Sequence, residues 1–115
     1  MSLSLGFVGE KIAQNYLRSL SFSIRDTNYR TKGGEIDIVA EKNKTVYFVE
    51  VKTRIGDSHG KPYEAVTYAK QCHMQRAAQW YILQNKLQNS KLRLAVISIE
   101  LMPDETVKTI AMFEL

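Results

Sequence analysis

The sequence predicts a single α/β domain of two helices and five strands in the order αβββαββ, spanning residues 1–115. Three observations predict it. The length of 115 residues is close to that of one ordinary domain. Apolar residues recur at helical spacing in two segments, and the intervening stretches are short β-prone runs punctuated by turn residues. With 44% hydrophobic and 24% charged residues the chain can bury a core, which excludes a disordered, collagen-like or low-complexity protein.

Each element has its own signal. Over residues 5–20, Leu5, Val8, Ile12, Ala13, Tyr16, Leu17 and Leu20 fall on one helical face, with Lys11, Gln14, Asn15 and Arg18 opposite. Glu10 lies at the seam between these faces, beside Ala13 and Leu17, aimed at the edge of a cleft. Three β-prone runs follow at residues 22–29, 35–40 and 45–53, separated by Lys32-Gly33-Gly34 and by Lys42-Asn43-Lys44. Residues 55–61, with Gly56, Asp57, Ser58 and Gly60 ahead of Pro62, read as an exposed loop. A second helix is expected from Thr67, its N-cap, to about residue 87, with Ala69, Cys72, His73, Ala77, Trp80 and Leu83 near its apolar face. Residues 92–101 and 106–113 read as two strands joined at Met102-Pro103-Asp104-Glu105.

Charge and cysteine content narrow the function classes. The net charge is +4, but residues 52–93 carry eight basic and two acidic groups while residues 94–115 carry one and four. A basic middle beside a carboxylate-rich first third suits a phosphate-backbone binder with an acidic centre; a solvated basic helix is the plainer alternative. The single Cys72 excludes an internal disulfide and multi-cysteine zinc or iron–sulfur sites, and a reducing cytoplasm is the expected home. No apolar run approaches the roughly 20 residues of a membrane span, so no membrane association is expected.

The chemistry concentrates in the hairpin of the second and third strands. If Asn43 and Lys44 form a two-residue turn, Asp37 lies opposite Glu50 and Glu35 opposite Lys52, and alternation puts all four on one face. Like charges so opposed cost up to roughly 1 kcal/mol, which calls for compensation. A divalent cation supplies it, since Mg²⁺ takes oxygen ligands at about 2.1 Å from one or two carboxylates, water and phosphate. Lys52 would then orient or deprotonate the attacking water, or stabilise charge on the phosphate. In isolation Glu50-Val51-Lys52 fits a solvated edge, but Val46-Tyr47-Phe48-Val49 and Val51 make the strand apolar on both faces, as in a covered central strand. A plain reading of Glu10 is a favourable carboxylate in the first turn of a helix.

Gly6-Phe7-Val8-Gly9-Glu10, the run from Asn28 to Asp37 (NYRTKGGEID), Phe48-Val49-Glu50-Val51-Lys52-Thr53-Arg54 and the run from Glu64 to Lys70 (EAVTYAK) together resemble the YraN-like bacterial family. That family is placed in the restriction-endonuclease-like superfamily, near the archaeal Holliday-junction resolvases. The resemblance covers nearly the whole chain. It implies a central five-stranded mixed sheet flanked by helices, with Glu10, Asp37, Glu50 and Lys52 matching the superfamily's first-helix acid, strand Asp, strand acid and Lys. Two positions depart from the family pattern: Arg93-Leu94-Ala95 stands where relatives carry Arg-Phe-Asp, and Ser21 where the first helix is usually followed by Gly.

The expected function is therefore a Mg²⁺- or Mn²⁺-dependent endonuclease acting on DNA, on a branched or otherwise structured form. Glu10, Asp37 and Glu50 are the expected metal ligands and Lys52 the assisting cation, with Arg30, Lys32, Arg54, Lys61, Lys70 and Arg76 as the expected phosphate contacts. The alternative is a non-catalytic nucleic-acid-binding module of the same fold; a protein-interaction scaffold is a third reading. His59, Cys72 and His73 have no metal-ligand partners in the pattern, and packing is favoured over base stacking for Trp80 and Tyr81. A homodimer is expected if both strands of a substrate are cut, with Tyr81, Ile82, Leu83, Ile110, Met112 and Phe113 as candidate contacts.

Overall fold

The computed structural model describes residues 4–56 and 66–115. Helix α1 (Leu5–Ser19) leads into strands β1 (Ser23–Thr31), β2 (Gly34–Lys42) and β3 (Thr45–Ile55). Helix α2 (Tyr68–Gln84), β4 (Lys91–Leu101) and β5 (Val107–Glu114) complete the order αβββαββ. The strands form one mixed sheet in chain order, β1 to β5, with β3 in the middle. β3 and β4 run parallel across α2, and every other neighbouring pair is antiparallel. The fold is thus an α/β layer of five strands and two helices. Among the described residues no helix is long and apolar enough to cross a membrane.

The sheet has two covered faces, which explains why β3 is apolar on both. Val46 and Phe48 pack with Met74, Ala77, Ala78 and Tyr81 of α2, while Val49 packs with Ala13 and Leu17 of α1. Ala95 is fully buried in the α1-side core. The buried face of α2 differs from the expected one. Ala69, His73, Trp80 and Leu83 are exposed and Tyr81 is in the core, because the small side chains of Ala77 and Ala78 let the helix lie close to the sheet on that side.

Both helices are capped as their sequences ask. Ser4 and Thr67 accept hydrogen bonds from the Phe7 and Lys70 amides, each at 3.2 Å. At the other end of α1, the Phe22 amide donates to the Leu17 carbonyl and the Ser21 amide to that of Arg18, with Ser21 at φ 70°. This left-handed closing residue favours glycine, so serine at this position costs on the order of 1 kcal/mol.

Three local features position the site. Asn43 and Lys44 both have positive φ (53° and 61°), which makes the expected two-residue turn and pairs Lys42 with Thr45. The β2–β3 pairing then runs to Ile38 and Val49 and stops, leaving the far half of β3 paired with β4 alone. At that point β2 also changes face: Ile36 belongs to the α2-side core and Ile38 to the α1-side core. The pairs Tyr29 with Ile36 and Thr27 with Ile38 flank Asn28, whose φ of 53° marks the matching distortion in β1. Asp37 therefore sits where two strands part.

Candidate functional site

Where the β2–β3 ladder ends, the Asp37 side chain takes over its work: the Val51 amide donates to Asp37 Oδ2 at 2.8 Å. Glu50 is its neighbour, near enough for its carboxylate to act on the Asp37 carboxyl. Burial pushes the Asp37 carboxyl up to about 7, and the neighbouring charges of Glu50 and Glu10 push the same way against the Val51 hydrogen bond. The expected juxtaposition of Asp37 and Glu50 is thus present, with Glu10 reaching the pair from α1 through its charge.

Glu50 is only 5% exposed. Its Oε1 lies 3.4 Å from Lys52 Nζ and 3.4 Å from Lys70 Nζ. Its Oε2 is buried with no hydrogen-bond partner. A buried carboxylate oxygen without a donor is costly, and the adjacent Asp37 offers repulsion unless protonated. The pair is arranged for a cation or a shared proton. Among the described residues no three His, Cys, Asp or Glu side chains close into an ion cage by themselves. Mg²⁺ and Mn²⁺ do not need one: two carboxylates with water and substrate oxygens suffice. A buried Oε2 without a donor, on a carboxylate that neighbours Asp37, fits such an ion, with Glu10 as an outer charge.

Glycine sets the third acid in place. A Cβ on Gly9 would fall 1.8 Å from Thr53 Oγ1, so α1 approaches β3 more closely than any other residue permits. Gly9 precedes Glu10 and Thr53 follows Lys52, so this contact brings the acid of α1 toward the strand that carries Glu50 and Lys52. Glu10 is the sixth residue of α1, and the first turn holds no acid, so the helix-dipole explanation of Glu10 does not apply.

Glu35 does not join the cluster. It is exposed, paired across the ladder with Arg30 and 3.4 Å from its guanidinium. The expectation that it faces Lys52 extended the hairpin register past the point where β2 and β3 separate. Lys70, expected as a phosphate contact, is half-buried with its ammonium 3.4 Å from Glu50 Oε1. Arg54 is half-buried near the end of β3. Arg30, Lys32 and Arg76 gather elsewhere, around a hollow of about 400 Å³ between the β1–β2 turn and α2. Lys61 and His59 lie outside the described residues. The sequence reading missed the support that Thr53 gives Gly9; a threonine at the end of an apolar strand beside a Gly-Glu helix start was the available signal.

Residues 9–99 match the uncharacterised protein family UPF0102. A UPF0102 protein of Syntrophotalea carbinolica is 50% identical over 103 residues, covering 90% of this chain and 84% of that protein. One from Alkaliphilus oremlandii is 45% identical over 103 residues, with 88% of each chain covered. Another from Geotalea daltonii is 47% identical over 107 residues, covering 93% of this chain and 84% of its own. With four-fifths of its length matched and relatives near half identity, the chain belongs to the uncharacterised protein family UPF0102.

Proposed function

We propose that this protein is a divalent-metal-dependent endonuclease that hydrolyses DNA phosphodiester bonds, with a fold of the restriction-endonuclease-like kind. The observation that carries the reading is the buried, donorless Glu50 Oε2 beside an Asp37 carboxyl raised to about 7. A structural ion pair has no use for a second, half-buried acid beside the first. A metal site does.

Asp37 and Glu50 are the residues that would hold Mg²⁺ or Mn²⁺. The bound ion would polarise a phosphate oxygen and acidify an attacking water. The Val51 amide fixes the Asp37 carboxylate, so its orientation is set before any ligand arrives. Lys52 and Lys70 both reach Glu50 Oε1 and leave Oε2 free for the ion. Each ammonium has three donors, so Lys52 can hold Glu50 while directing a second hydrogen toward a water or a phosphate oxygen. Glu10 adds negative charge that favours a cation over an empty site.

The test is a Mg²⁺ titration against labelled duplex, single-stranded and four-way DNA. Cleavage is expected only with metal, and Asp37→Ala or Glu50→Ala should lower the rate at least about a hundredfold. Equal cleavage by these variants would assign the activity to a contaminant. Salt-sensitive DNA binding that ignores Mg²⁺, without turnover, would make the protein a binding module instead.

A further inference from the structure

A second surface, outside the carboxylate cluster, has its own chemistry. Trp80 is the only tryptophan and is 56% exposed, whereas its neighbour Tyr81 is swallowed by the core. His73, Arg76, Trp80 and Gln84 follow at spacings of three, four and four, which places them on one face of α2. That face borders the β1–β2 turn. A hollow lined by Tyr29, Arg30, Lys32, Trp80 and Gln84 adjoins the one lined by Lys32, Gly33, His73 and Arg76.

The turn is held against the helix by its glycines. A Cβ on Gly34 would meet the His73 carbonyl oxygen at 2.6 Å, and one on Gly33 would be 3.3 Å from Arg76 Cβ. Lys32 and Arg76 therefore face the same space. Among the described residues neither has a carboxylate partner, and only Arg30 is paired, with the exposed Glu35. Exposed Leu83 borders the same ring on one side, but Trp80 also shares hollows with Arg30, Lys32 and Arg76, and an aromatic ring among cations matches a base with its phosphates.

We propose that this face is a stacking platform for an unpaired DNA strand, Trp80 taking a base and Arg30, Lys32 and Arg76 the flanking phosphates. The inference rests on the reading of DNA as substrate and specifies its form. In a duplex both faces of a base are already stacked, so Trp80 offers it nothing; a base with a free face gains the contact. At 1.5 Å per residue, Trp80 lies about 15 Å along α2 from Lys70, the residue that touches Glu50. That distance is roughly four steps of a stacked strand at about 3.4 Å each. A strand that engages both the platform and the carboxylates would span those few steps, so the substrate would carry unpaired nucleotides a few positions from the scissile bond.

The single tryptophan gives a direct readout. The full chain in EDTA, where cleavage is off, is titrated with oligothymidylate and separately with a fully paired duplex. Oligothymidylate should quench the tryptophan emission saturably. Trp80→Ala, with unchanged circular dichroism, should weaken oligothymidylate binding by roughly tenfold or more and duplex binding by less than about twofold, with Trp80→Phe retaining most of the affinity. Binding without quenching, or equal losses for both DNAs, would overturn the platform, as would tighter binding of oligouridylate. Quenching without any metal-dependent cleavage would support the platform while refuting the nuclease; metal-dependent cleavage without quenching would do the reverse.

Discussion

Among the described residues, Asp37 is a carboxyl held under marked electrostatic tension. Its carboxyl is raised from 3.8 to about 7, first by burial and then by Glu50 and Glu10. The folded state therefore holds this proton more tightly than the unfolded chain does. The stabilisation is present at low pH and is lost as pH rises from about 4 through about 7, by at most about 4 kcal/mol. Asp37→Asn stays neutral at every pH and keeps an acceptor for the Val51 amide, so it should remove this slope. Urea unfolding of the metal-free protein between pH 5 and 8 measures it. The parent should lose stability relative to Asp37→Asn as pH rises, and Mg²⁺ should restore the parent at the alkaline end by binding the deprotonated pair. Parallel curves for the two proteins would show that Asp37 is not held protonated by the fold.

At the scale of elements, the site depends on how closely α1 lies on β3. Gly9→Ala puts a methyl group into Thr53, whose Cβ as well as Oγ1 would be within 3 Å, so the helix must lift. Overpacking of this kind costs about 1–3 kcal/mol. Thr53→Ala in the same chain should recover part of that loss, since the Oγ1 contact is the shorter. Denaturant midpoints of the single and double variants check the coupling; additive losses would mean that the contact is not the cause. The same elements show what local sequence can and cannot carry. The Asn43-Lys44 turn and its register were legible because two-residue turns and period-two alternation are local rules. The separation of β2 and β3 beyond Ile38 was not, because it depends on Asp37 taking the Val51 amide and on the distortion at Asn28, neither of which has a spacing signature. Glu35 was misplaced for that reason. The buried face of α2, Met74, Ala77, Ala78 and Tyr81, has regular helical spacing and was open to a periodicity reading, but the large exposed Trp80 and Leu83 draw the apolar stripe to the neighbouring face. The approach of Lys70 to Glu50 joins two distant segments, so only the fold could bring it out.

For the whole molecule the proposed chemistry bears on the number of copies that act together. Under the proposed nuclease reading, one carboxylate pair per chain would cut one strand at a time, so a substrate cut on both strands would call for two chains about a two-fold axis. Tyr81 belongs to the core of a single chain, which removes it from the contact surface; Ile110, Met112 and Phe113 are half-buried against the same chain's two cores. Ile82 is packed against the core and Leu83 alone of the six is exposed, beside Trp80, so the extended contact left is the edge of the sheet. β1 is a poor edge for pairing, because a register shift falls between Ile24 and Asp26 and Asn28 takes a left-handed φ. β5 has its irregularity only where Glu100 and Leu101 meet its first residues and is regular from Thr109 to Glu114. An antiparallel β5–β5 pairing would extend the sheet to ten strands and leave both α2 faces, with Trp80 and the neighbouring cations, open to DNA. Sedimentation at micromolar concentration should show a species of twice the 13.2 kDa chain mass. A 13.2 kDa species that cuts both strands of a duplex at one position would refute the dimer.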